Sequence, residues 1–152
     1  MLSKHPGVSD ALVGERVTGR MDRQAVITRE GPPPPMLWAV IDENVLYREV
    51  GSPKITHDAL LNVAEMSRLP NVTVQILPSG IHVGLQGSFI IAEMHGMSAS
   101  VFVEDASDGR TADDAGTVNG LSVRFRYLQT EAMTPATSRD FILKVTEDRW
   151  NA

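Results

Sequence analysis

The chain has 152 residues, of which 42% are hydrophobic and 22% charged, so one ordinary globular domain fits and disordered, collagen-like and coiled-coil classes do not. A net charge of −5 disfavours contact with phosphate backbones, and the absence of cysteine removes disulfides, cysteine-ligated metals and thiol nucleophiles. Apolar runs such as residues 89–92 are too short to span a bilayer, and the N-terminus has no secretory pattern, which together point to the cytoplasm.

Residues 9–30 place Leu12, Val13, Val17, Met21, Ala25 and Val26 at three- and four-residue spacing, with charged residues on the other faces, and predict an amphipathic helix capped by Ser9. Gly31 and four prolines at 32–35 then form a stiff extended spacer. Three parts follow: an N-terminal helix (1–30), the Pro-rich spacer (31–35) and an α+β domain (36–152).

Residues 36–41 are uninterrupted apolar, the pattern of a central strand buried on both faces. Ser52-Pro53 reads as an N-cap with proline in the first turn of a helix reaching about Leu69, with Ile55, Ala59, Leu60, Val63 and Met66 on its apolar face. Three strands are expected next, at 72–77, 88–94 and 101–104. A Gly-rich loop carrying His82, Gly84 and Gly87 separates the first two. Residues 105–117 are polar and fit either a loop or a short strand near Gly109-Arg110-Thr111. Asn119-Gly120 is a hairpin signal, but Val118, Leu121, Phe125, Leu128 and Ala132 keep helical spacing for longer, so a helix is favoured. Thr134-Pro135 opens a last helix, in which Thr137 and Asp140 could form a capping box and which Trp150 ends. The expected fold is α+β: a small, mostly antiparallel sheet packed with helices, in the order α-β-α-β-β-β-α-α.

No catalytic signature stands out: there is no phosphate-binding loop, nucleophile elbow or HExxH zinc motif. Neither a metal nor a cofactor is indicated. His82 is the histidine best placed for chemistry, between strands, and would need a carboxylate such as Glu104 or Asp42 as a partner. Trp38 reads as core, or as the wall of a ligand pocket.

Met21 to Arg29, Leu37-Trp38-Ala39-Val40-Ile41-Asp42-Glu43, Leu69-Pro70-Asn71-Val72 through Pro78, His82-x-Gly84-x-x-Gly87-x-Phe89 and Val103-Glu104 follow one another along the chain. This order resembles the C-terminal domain of unknown function of Xre-type helix-turn-helix regulators, the WhiJ-like group. The resemblance implies a regulatory domain that controls a DNA-binding transcription factor through a ligand, a homodimer or a small protein encoded nearby. DNA would be reached only through a helix-turn-helix that this chain lacks. It carries over no catalytic residues; recurrent polar positions match Asp42, Glu43, Asn71, Gln75, His82 and Glu104. Taken with the loop glycine and the aromatic residue, the candidate ligand-binding set is Trp38, Asp42, Glu43, Gln75, His82, Gly84 and Glu104. The alternative reading is a small-molecule enzyme or ligand sensor built around the His82 loop.

Overall fold

The computed structural model describes residues 10–80, 87–104 and 109–150. Its elements in order are α1 (Asp10–Thr28), β1 (Leu37–Asp42), a 3-10 turn (Glu43–Tyr47), α2 (Pro53–Met66), β2 (Val72–Leu77), β3 (Phe89–Ala92), β4 (Ser100–Val103), β5 (Arg110–Ala112), α3 (Ala115–Glu131) and α4 (Pro135–Trp150). The fold is α+β, but the strands do not share one sheet. β1 and β2 form a parallel pair, and β3-β4-β5 form a separate antiparallel sheet. The connection carrying α2 is long enough to return the chain in parallel, whereas the few residues between β3 and β4, and between β4 and β5, permit only antiparallel pairing.

The segment open to two readings at 105–117 contributes β5, which pairs Arg110 with Val103 and Thr111 with Phe102. Gly109 precedes it at φ 70, in the left-handed region where a side chain is strained, and a Cβ there would run into the Phe102 ring. The helix prevails over the hairpin at Asn119-Gly120, because Leu121, Phe125 and Leu128 all find shelter on one side of α3.

The core lies between one face of the parallel pair and helices α2 and α4. Paired residues project to the same side, so Val72, Val74 and Ile76 enter the core beside Ile41. α4 brings Ile142, Val145 and Trp150, and the 3-10 turn brings Leu46. α2 contributes the buried stripe Thr56, Leu60 and Ala64. That stripe is rotated by one residue from the expected face, since Ile55 and Ala59 are exposed. Thr56 tolerates burial because its hydroxyl donates to the carbonyl of Ser52 (3.0 Å) and accepts from the Val50 amide (2.8 Å). The helix starts as expected, with Ser52 Oγ accepting from the Ile55 amide at 3.3 Å. α4 is capped by Thr134, whose Oγ1 accepts from the Thr137 amide at 3.2 Å; this cap takes the place of the expected Thr137/Asp140 box.

β2 has a second edge, and the α3–α4 junction closes it. Met133 donates its amide to the Ile76 carbonyl at 2.8 Å, and the Ile76 amide donates to Ser138 Oγ at 2.8 Å. β1 departs furthest from expectation. Its apolar run predicts a central strand, yet among the described residues it is an edge strand, paired with β2 alone. Met36, Leu37 and Trp38 are 56%, 38% and 51% exposed.

α1 forms where the periodicity places it, but among its described side chains only Ile27 packs on the core. Val17, Met21 and Val26 are exposed. The helix end is held by Asn71, whose Nδ2 donates to the carbonyls of Ile27 (3.1 Å) and Pro35 (3.0 Å). One side-chain amide thus spans the Pro-rich segment and fixes both of its ends to the start of β2.

Candidate functional site

The ends of the parallel strands hold two of the predicted residues. Asp42 closes β1 and caps the 3-10 turn, accepting from the Asn44 amide at 2.8 Å. Glu43 follows it, and its Oε2 accepts from the Ser79 amide at 2.9 Å, just beyond β2. A carboxylate therefore ties together the loops leaving both strands, at the end where parallel sheets characteristically gather ligands.

The remaining predicted residues do not converge there. Trp38, Val40 and Asp42 share one face of β1, with Thr73 and Gln75 of β2 beside them. Trp38 and Asp42 are four positions apart, about 13 Å along β1, too far for both to grip one small ligand. The Gln75 amide is engaged structurally, donating to the Met133 carbonyl at 3.0 Å. Glu104 belongs to the other sheet, where its Oε2 lies 2.6 Å from Ser88 Oγ. That pair borders a hollow of about 160 Å³ lined also by Phe89, Ile90 and Phe102. His82 and Gly84 lie outside the described residues, as does the cap expected at Ser9. Among the described residues, no three His, Asp or Glu side chains are grouped to hold a metal ion.

Among the described residues, Asp58 and Asp114 have lowered pKa values, each for a local reason. Asp114 caps α3 and accepts from the Thr117 amide at 2.9 Å, which holds its carboxyl below the ordinary 3.8. Asp58 is lowered first by its bond to Lys54 (3.0 Å) and then by His57 (3.1 Å). Both are exposed cap and surface pairs, so neither signals catalysis.

A second concavity belongs to residues that the sequence motifs did not single out. Gly120, Val123, Arg124 and Tyr127 of α3 line an open hollow of about 410 Å³. They recur at three- and four-residue spacing, so they form one face, lateral to the inward stripe of Leu121, Phe125 and Leu128. Gly120 supplies the depth, since nothing lies within 4 Å of where its Cβ would be. Val123 and Tyr127, 55% and 48% exposed, supply apolar walls. The signal was present in the sequence as a second apolar stripe on α3, hidden because the stronger stripe accounted for the helix.

A family model described as a domain of unknown function, DUF5753, matches residues 1–144. The chain belongs to the DUF5753 family. No curated protein and no solved structure matches it. The matched span of this DUF5753 domain takes in the Asp42–Glu43 junction, the Ser88–Glu104 hollow and the α3 face. It stops within α4, ahead of Val145, Thr146 and Trp150, which the fold buries all the same. No helix among the described residues of the DUF5753 domain is long and apolar enough to cross a membrane.

Proposed function

We propose that this DUF5753 domain is the partner-binding regulatory domain of a DNA-binding transcriptional regulator of Xre type, acting on a separate helix-turn-helix domain in the cytoplasm. The observation that carries the reading is the α3 face. An open apolar hollow framed by Val123 and Tyr127 suits an inserted side chain of a protein partner better than an enclosed metabolite. The sequence resemblance to WhiJ-like regulators supports the same assignment, with a small protein encoded nearby as the partner. Calorimetric titration of the folded chain with that protein tests it. Binding that Val123→Arg or Tyr127→Glu weakens at least about tenfold supports the reading, since a central apolar contact carries about 1–2 kcal/mol or more. A folded chain that ignores the neighbouring protein refutes it.

A second reading, a small-molecule sensor or enzyme around the His82 loop, draws on the Ser88–Glu104 pair. The bordering hollow of about 160 Å³ is below the ~300 Å³ at which drug-sized ligand pockets begin, so this reading takes second place. A metabolite that raises the melting temperature of the wild type and not of Glu104→Gln would bring it forward.

A further inference from the structure

We infer that β1 is a homodimer seam, in which the open edge of one copy pairs antiparallel with the same edge of a second copy about a two-fold axis at Val40. The phase of the ladder fixes which groups are available. Leu37 donates its amide to the Asn71 carbonyl at 2.8 Å, so Leu37, Ala39 and Ile41 turn their backbone groups toward β2. Trp38, Val40 and Asp42 turn theirs away, to an edge that has no strand on it among the described residues. β2 closes its own outer edge with Met133 and Ser138; among the described residues β1 has no such plug. An unpaired apolar edge beside exposed Met36, Leu37 and Trp38 is the arrangement that invites another strand.

Self-complementarity selects a second copy over an unrelated peptide. With Val40 opposite Val40 of the second copy, Trp38 stands opposite Asp42 of the second copy, and the reverse holds by symmetry. All three outward residues share one side-chain face. The indole N–H of Trp38, without an acceptor among the described residues, then faces the Asp42 carboxylate, which accepts from the Asn44 amide through Oδ1. Val40 packs against its own mate at the axis. The two parallel pairs join into one four-stranded sheet, β2-β1-β1-β2, in which β1 is central. The uninterrupted apolar run of 36–41, out of place at an edge, is in place there.

The test is sedimentation equilibrium of the full chain, combined with amide exchange by NMR over a concentration series. A dimer of twice 16.6 kDa is expected, with Trp38 and Val40 amides as protected as those of Ala39 and Ile41, and losing that protection on dilution. Val40→Pro removes the N–H at the axis without removing a bond to β2, and weakens association at least about tenfold, as two lost hydrogen bonds require. Trp38→Lys, at a half-exposed position that threatens the fold less, does the same while the circular dichroism spectrum is kept. A chain of 16.6 kDa at every concentration overturns the proposal, as does a dimer whose Trp38 and Val40 amides exchange freely. The result is separable from the proposed function: a monomer that binds the neighbouring protein sinks the seam alone, and a dimer that does not bind it sinks the function alone.

Discussion

The indole Nε1–H of Trp150 donates to the Leu46 carbonyl at 2.8 Å, joining the last described turn of α4 to the 3-10 turn that follows β1. Both residues are buried. The bond spans almost the whole α+β domain in sequence, and both ends belong to the core. Trp150→Phe keeps most of the ring volume but orphans a buried carbonyl, and is expected to cost about 1–3 kcal/mol. Trp150→Ala adds a cavity and costs about 3–5 kcal/mol. Urea denaturation at constant m-value measures both.

Ser138 is fully buried and completes the β2 edge by accepting the Ile76 amide. Ser138→Ala leaves that N–H without its partner at a fully buried position. The expected loss is about 1–3 kcal/mol, with faster exchange confined to the Ile76 amide and its neighbours. Ser138→Cys, similar in shape and a weak acceptor, falls between the two.

Asn71 holds both ends of the Pro-rich segment through one amide. Asn71→Asp replaces a two-bond donor with an acceptor facing two carbonyls. The core is little disturbed, so the global transition shifts by less than the Trp150 variants. Limited proteolysis between residues 28 and 36 is expected to speed up selectively, because α1 loses its anchor. Unchanged cleavage there would show that Ile27 alone suffices.

The Asp114 cap gives a pH dependence with a definite sign. Its folded pKa lies below the ordinary 3.8 because the carboxylate accepts the Thr117 amide. The charged cap is favoured above 3.8, and its contribution is lost as pH falls through the lowered folded value. Asp114→Ala is therefore less stable than the wild type at neutral pH, and the two melting temperatures converge on acidification below 3.8. Parallel curves across that range would assign the cap's effect to shape alone.

Much of the local structure was legible in the chain. Ser52-Pro53 starts α2, Thr134-Pro135 starts α4, and the alternation of Val72, Val74 and Ile76 makes β2, because caps, proline geometry and side-chain period act over a few residues. The candidate site was legible only in parts. Asp42 and Glu43 do stand at the ligand-favoured end of a parallel pair, but Gln75 serves Met133, and Glu104 bonds Ser88 in another sheet. The α3 hollow went unread because a helix shows its strongest stripe first, and which lateral face remains uncovered depends on its neighbours.

The sequence by itself determined the α+β class, the helix over the hairpin at residues 119–120, and the absence of thiol chemistry. These follow from composition and from periodicity within single elements. Only the tertiary structure decided that the strands form two sheets, that β2 is sealed by Ser138 and Met133, and that β1 pairs with β2 alone among the described residues. Pairing partners lie far apart in the chain, and an apolar run states that a strand is to be buried without stating what buries it.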